Sequence, residues 1–394
     1  MYVVKIDDVR PIAGKDRVEC AVVGGWTIMV RKDQFKPGDL GIYFEIDSKV
    51  PEKEPFMFLE GKHFKIKTQK YKTPDGAFFS QGLLMSAEDF GWRIIGNGTI
   101  IAKENGDSFE LGDFLTTELG VIYADAADNK RKAPSTDKYK KMMQRHPQLA
   151  KKAPIRWLMK RTWGKKLLFF FLGRKNDKKC GWPEWVVKTD EERIQNLTHM
   201  IPDFCNERWM ATEKIDGTST TFTMKRGKGK KRDFFVCSRN VVFDKPDKKC
   251  FYETNVYIEM AEKYHIEDVL NDLLDLNPGC PWVTIQGETY GAGIQKRDYG
   301  LNEHRFAVFN LIFGDKRGRV SSVEMQTCMD RYNVPSVPII GEVTLPNTCE
   351  GILTMAGGPS AIDGGMREGI VFRTIDGKRS FKAVDNEFLA KYHG

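Results

Sequence analysis

Glu213-Lys214-Ile215-Asp216-Gly217-Thr218 is the stretch on which the reading of this 394-residue chain turns. A lysine two positions before Asp-Gly sets an amine beside a carboxylate where the chain turns easily, because Asp and Gly are both turn formers. Alone the pattern says little, since composition puts a K-x-D-G in roughly a tenth of chains this long. Its ordinary reading is a turn. Weight comes from the short motifs that follow it in order. They are Ser238-Arg239-Asn240, Gln286-Gly287-Glu288, Phe306-Ala307-Val308-Phe309, Arg367-Glu368-Gly369-Ile370-Val371-Phe372 and Ser380-Phe381-Lys382-Ala383.

Together the six resemble the ordered set of the covalent nucleotidyltransferase superfamily, which comprises the DNA ligases, the RNA ligases and the mRNA capping enzymes. The resemblance covers residues 183–390. The chemistry explains why such residues are needed. A lysine amine attacks phosphorus only when deprotonated, and at pH 7 a free lysine is neutral on the order of one time in a thousand or less. Nearby cations disfavour the ammonium, so a bound metal ion and Lys382 are expected to lower the pKa of Lys214. In-line attack on an α-phosphate gathers negative charge on its oxygens, which Mg²⁺ and lysine can stabilise. Magnesium keeps most of its waters, so one or two carboxylates suffice to hold it.

The resemblance implies Lys214 as the nucleophile and Lys382 as the contact to the α-phosphate. It places Glu213 at the adenine edge, and Arg239 and Glu288 at the ribose or the nucleotide's other groups. An aromatic of 306–309, Phe309, would stack on the base. Glu368 would hold the metal, Mg²⁺ or Mn²⁺, with Asp216 and Glu288 beside it. Phe309 could equally be core, and Glu288 a surface strand residue.

Within the superfamily the end of the chain discriminates. DNA ligases and capping enzymes carry a barrel after the last lysine motif, whereas here only twelve residues, Ala383 to Gly394, follow Lys382. The barrel-like sequence is at the other end. That order resembles the ATP-dependent RNA ligase family with an N-terminal OB module. Three stretches strengthen the likeness: residues 185–196 (WVVKTDEERIQN), 287–295 (GETYGAGIQ) and 78–85 (FFSQGLLM). The family implies ATP as substrate and an RNA bearing 3′-hydroxyl and 5′-phosphate ends, in a duplex or bridged context. The sequence does not fix the oligomeric state, for which a monomer is the expectation. Two departures stand out. The last motif usually has a second lysine where Val384 stands, for which Lys378 or Arg379 could substitute, and Asn310 occupies a place where the superfamily often has an acid. The alternatives are a DNA ligase, a guanylyl-transferring capping enzyme, or a non-catalytic RNA-binding protein on the same scaffold.

The residues themselves support an α+β fold with a small N-terminal β-barrel, either OB-type or a generic barrel with an architectural role. The resemblance implies the OB type, followed by a nucleotidyltransferase domain, ATP-grasp-like in its adenylylation role, of antiparallel sheets and helices. In the first ~120 residues, runs such as Tyr2–Ile6, Val18–Val23, Trp26–Val30 and Gly41–Ile46 alternate with turn signals. Lys36-Pro37-Gly38-Asp39 has Pro then Gly at the central positions of a type II turn. The spacing predicts a helix over 252–275 and strands at Phe234–Cys237, Val283–Ile285, Phe306–Phe313 and Gly369–Arg373. We divide the chain into 1–125, an OB-fold domain, 126–181, a basic helical insertion or linker, and 182–394, the nucleotidyltransferase domain.

Charge is unevenly placed. Residues 130–179 hold 18 Lys/Arg against two acids, a balance of +16 in a chain whose total is +8, so the rest sums to −8. Trp157, Trp163 and Phe169 to Phe171 are interleaved with it, and short helices are expected over 137–151 and 155–172. Basic charge with aromatics suits a nucleic-acid backbone, and a basic helical insertion packed on its host is the structural alternative. Eight scattered cysteines without a CxxC pair point to reduced thiols rather than zinc or disulfides. The start lacks an apolar signal region, and the apolar run Leu167 to Leu172 is far short of the ~20 residues that span a bilayer. An intracellular, soluble protein without a membrane partner is expected.

Overall fold

The computed structural model describes residues 1–95, 100–102, 108–116, 119–123, 158, 182–243 and 254–393. The basic segment and the two helices expected within it lie outside the described residues. Met1–Val121 and Trp182–Gly394 form one compact unit and Ile122–Gly181 a second.

The N-terminal half is built of short antiparallel strands. Asp8–Ile12, Lys15–Val23 and Trp26–Arg31 form one meander, Tyr2–Lys5, Leu40–Phe44 and Leu83–Met85 a second sheet, and Thr68–Thr73 with Gly76–Gln81 a hairpin. The strand Leu40–Phe44 is buried on both faces, sending Ile42 and Phe44 into one apolar core and Tyr43 into another with Val4, Ile6, Trp26 and Ile28. Side chains alternate across a strand, so a run without polar residues can serve two cores at once. The strands wrap as a barrel, but their ladders fall into separate sheets rather than a closed ring. The Lys36–Asp39 turn forms as its residues dictate: Gly38 sits at φ 95° and the Asp39 N–H donates to Lys36 O at 3.1 Å.

The second half has two antiparallel sheets. The larger orders Val242–Phe243, Arg232–Ser238, Thr218–Arg226, Trp282–Gly291, His304–Phe313 and Gly318–Arg319; the smaller orders Ile339–Thr344, Arg208–Lys214, Gly369–Thr374 and Ser380–Val384. The single helix expected over 252–275 is two, Val256–Lys263 and Ile266–Asp275, because His265 adopts φ 50° and interrupts the ladder. Ile266, Val269, Leu270, Leu273 and Leu274 then recur at i, i+3, i+4, i+7 and i+8 and lay one face in the core of the larger sheet. A separate apolar cluster, Trp209, Phe204, Phe372 and Phe381, covers the back of the smaller sheet.

Residues 384–393 join the two halves. Val384 and Leu389 insert into the barrel core beside Val4, Ile6 and Tyr43. Gln81 Nε2 donates to Asn386 Oδ1 at 2.8 Å, and Lys70 Nζ reaches both oxygens of Glu387 at 2.6 Å. Among the described residues no helix is long and apolar enough to cross a membrane.

Candidate active site

Lys214 is the last residue of the Arg208–Lys214 strand and pairs with Gly369, so it is held opposite the residue that follows Glu368. Its ammonium donates to Glu368 Oε1 at 2.6 Å. Glu288 rides the neighbouring Trp282–Gly291 strand of the larger sheet, across from Ser219. Gly217 lets the two sheets meet here, since a Cβ on it would stand 2.4 Å from Thr289 O. The Asp216 N–H donates to the Tyr299 hydroxyl at 2.7 Å, which fixes the turn after the lysine. Burial and the charges of Glu368 and Asp216 push the Glu288 carboxyl up to about 8, against the opposing pull of Lys214. Lys382, on the edge strand opposite Val371, is lowered to about 8 by burial and then by the cations Lys214 and Arg193. The fold therefore gathers Lys214, Asp216, Glu288, Glu368 and Lys382 into one pocket.

The lysine itself departs from expectation. Burial works to lower its pKa, but Glu368, Glu288 and Asp216 together raise it above that of a free lysine. Without counter-charge on those carboxylates, Lys214 is a clamped ammonium and no nucleophile. Among the described residues, two buried carboxylate oxygens, Asp216 Oδ2 and Glu368 Oε2, have no hydrogen-bond partner. Among the described residues no group of three or more His, Cys, Asp or Glu is arranged to hold a metal on its own. The two orphaned carboxylate oxygens suit a cation that keeps water and phosphate ligands and takes only one or two carboxylates.

The remaining sequence-derived residues fall in instructive places. Phe309 lies at a bulge: Gln286 pairs with Asn310 and the next residue, Gly287, with Val308, so Phe309 has no partner across the ladder. It is half-buried against Ile215, Tyr290 and Tyr299. A bulge next to a site re-aims one side chain without disturbing the strand's other contacts. Asn310, in contrast, is buried in an amide pair, its Nδ2 donating to Gln286 Oε1 at 3.0 Å. Arg239 forms an ion pair with Asp190 at 3.0 Å, and its charge is felt at Glu288.

Glu213 faces away from Lys214, as alternation along a strand requires. Its buried carboxylate accepts from Ser360 Oγ at 2.5 Å and from the Ala361 N–H at 2.8 Å. While the loop over 357–366 is closed on it, that carboxylate is not available to an adenine edge. Val384 is 2% exposed and sits in the barrel core, so the place of a second lysine serves docking instead. Lys378 and Arg379 do not replace it: they pair with Asp376 and Glu207 at the opposite end of the strand.

Several residues of the site were not evident from sequence. Arg193 forms a bridge with Lys382, pairs with Asp47 at 3.9 Å and lies over the Trp26 ring. Arg297, 7% exposed, pairs with Asp363 at 2.6 Å and stacks on Tyr299. His393 places Nε2 3.3 Å from Asp216 Oδ1, and that carboxylate raises its pKa. Arg193 lies within the 185–196 stretch, which gave it no role, Arg297 and Tyr299 adjoin the 287–295 stretch, and His393 sits in no recognisable pattern.

An amine poised among carboxylates at the junction of two antiparallel sheets, with a second lysine facing it, is the centre of a covalent nucleotidyltransferase. Residues 207–393 match the model of the RNA ligase family, and residues 1–86 match that of an OB-fold domain. The chain belongs to the RNA ligase family, with its OB-fold domain placed N-terminally. Among solved structures it is similar to a Naegleria gruberi RNA ligase variant with ATP and manganese, at 26% identity and TM-score 0.70, covering 100% of this chain and 98% of that one. The same ligase with pyrophosphate, and a variant with AMP and manganese, give the same identity, coverage and TM-score. No curated protein sequence matches the chain.

Proposed function

We propose that this RNA ligase seals a break bearing a 3′-hydroxyl and a 5′-phosphate, in a duplex or bridged RNA, at the expense of ATP. Lys214 Nζ bonds to the α-phosphorus of ATP and pyrophosphate leaves. The AMP passes from Lys214 to the RNA 5′-phosphate, and the 3′-hydroxyl then displaces AMP to form the phosphodiester. The observation that carries this reading is the Lys214–Glu368 contact at 2.6 Å, flanked by Asp216, Glu288 and Lys382. Structures of the Naegleria ligase with ATP and with AMP, each with manganese, support the nucleotide and a divalent cation.

When bound, a divalent cation supplies counter-charge to the carboxylates and to the phosphates, and Glu368 is the residue that would hold it, with Asp216 and Glu288 beside it. Freed from its clamp, Lys214 can lose a proton while staying within reach of the α-phosphate. Lys382, lowered to about 8 by burial, is held in its charged form as an anionic phosphate arrives and stays fixed against it. Phe309 provides the ring face for adenine. Arg239 reaches the nucleotide after exchanging Asp190 for it, an exchange that costs little between half-exposed partners.

In this scheme residues 1–125 act as the OB module that orients the β- and γ-phosphates, 182–394 carry the chemistry, and 126–181 add backbone grip. Deleting 130–179 should flatten the salt dependence of RNA binding; an unchanged affinity and slope would refute the last of these roles. The central test is incubation with Mg²⁺ and labelled ATP or GTP, beside Lys214→Ala. Label from ATP alone, lost in the variant, supports the reading. Label from GTP points to capping chemistry, and none from either to a binding protein. A nick with an RNA or a DNA 3′-hydroxyl strand then fixes the polynucleotide.

A further inference from the structure

Residues 187–193 run as a strap from the larger sheet to the smaller one. On the larger sheet, Gln286 Nε2 donates to Val187 O at 2.7 Å and the Thr189 hydroxyl meets that of Ser219 at 2.7 Å. Asp190 holds Arg239. The strap then reaches the edge of the smaller sheet, where the Lys382 N–H donates to Glu192 O at 2.8 Å and Arg193 forms a parallel bridge with Lys382. The backbone of Lys382, the expected α-phosphate contact, is therefore held by the strap.

Glu191 fastens that strap. Its Oε1 accepts from Arg373 at 3.2 Å and from Arg319 at 3.5 Å, and its Oε2 accepts from the Ser380 hydroxyl. Arg319 belongs to the larger sheet, and Arg373 and Ser380 to neighbouring strands of the smaller one, so one carboxylate ties the two. Its side chain is 16% exposed and that of Arg373 3%. Balancing a buried guanidinium is ordinary work for such an acid. Register adds a second role. Ser380 and Lys382 are two apart on one strand and share a face, with Arg373 and Val371 opposite them across the ladder. Glu191 meets this strand at Ser380, while Glu192 and Arg193 meet it at Lys382, in step and in parallel. A strap released at Glu191 loses its support of Lys382.

We propose that Glu191 is a positioning residue for lysine adenylylation, fixing the strap so that Lys382 is held at the α-phosphate. The inference rests on the RNA ligase reading above. Glu191 touches no substrate in this scheme and acts through Lys382.

The test is Glu191→Gln in the full chain, which keeps the size of the side chain and removes its charge. Single-turnover labelling of Lys214 by ATP with Mg²⁺, across a series of ATP concentrations, reads the labelled fraction at completion, the maximal rate and the half-saturating ATP. A displaced Lys382 should leave the completed fraction at the wild-type level while the maximal rate falls roughly 10- to 100-fold. Half-saturating ATP should move less, because the lost contact is to charge that develops in the transition state. Added to Lys382→Ala, Glu191→Gln should slow labelling by less than about threefold more, since the two act as a unit. A purely structural acid would instead lower the completed fraction and the melting temperature and leave the rate of the remaining sites unchanged. That result overturns the proposal, as does an unaltered rate or a fully additive loss in the double variant. If Lys382→Ala does not label at all, the split in the single variant decides. If Glu191→Gln does not fold, Ser380→Ala, which leaves the carboxylate with both arginines, should show the same split with a loss of about threefold; an unchanged rate there overturns the proposal. Wild-type protein that labels beside an equally fast Glu191→Gln sinks only this inference, whereas wild type that never labels sinks the ligase reading beneath it.

Discussion

Lys214 Nζ stands 2.6 Å from Glu368 Oε1, closer than any other acid to the amine on which the chemistry depends. The contact holds the nucleophile in place and, by the same charge, holds its proton on. Nucleotide and cation binding must therefore release the amine as well as deliver the phosphate. In the absence of both, acylation of Lys214 by a small amine-reactive reagent should begin only at higher pH than for an exposed lysine. Glu368→Gln should move that onset to lower pH, because burial then acts with one fewer opposing carboxylate. Site-resolved mass spectrometry across pH would check it; an onset that does not move would remove Glu368 as the cause.

Glu288 should make stability depend on pH. Its folded carboxyl holds a proton up to about 8, whereas an ordinary one releases it near 4.5, so the folded state binds the extra proton across that window. Stability is then highest below the ordinary pKa and falls as pH rises through the folded one. Glu288→Gln should melt close to wild type at pH 4.5 and at least ~2 °C above it at pH 9. Thermal denaturation at both pH values would show it.

Val384→Lys restores the family's usual lysine and should harm this protein. The position is 2% exposed among Val4, Ile6 and Tyr43, and an unpaired buried ammonium costs on the order of 3 kcal/mol or more. Urea denaturation should register that loss, with no gain in sealing rate. A stable, faster variant would mean that residue 384 faces the substrate.

Ser360→Ala should loosen the loop that closes on Glu213. It leaves the buried carboxylate with the Ala361 N–H alone, at a cost of about 1–3 kcal/mol. Because the Glu213 strand runs directly into Lys214, the KM for ATP should rise more than kcat falls, as measured in the adenylylation step.

Local features were largely legible in the sequence. The expected run Val18–Val23 is the end of Lys15–Val23, Trp26–Val30 lies within Trp26–Arg31, and Gly369–Arg373 lies within Gly369–Thr374. Alternation and turn residues are carried by neighbours, so they show without a partner. What could not be read depends on distant segments. His265 looks like any helical residue until its positive φ splits 252–275 in two. Glu213 follows the family motif, yet its direction is set by Ser360, 147 positions away. The charge on Lys214 reverses expectation because Glu368 arrives from 154 positions downstream. His393 belongs to no local pattern, Arg193 has no assigned role in the 185–196 stretch, and both gain meaning only from Asp216 and Lys382.

The insertion of Val384 and Leu389 among side chains from the first fifty residues has a kinetic corollary. Contacts of such sequence separation close very large loops, which slows folding relative to local structure. During synthesis the barrel emerges first, yet its core stays open until Val384 and Leu389 are released. A fragment ending at residue 121 should therefore expose the apolar seam those two residues fill and self-associate, so that polypeptides truncated before completion are insoluble rather than partly active.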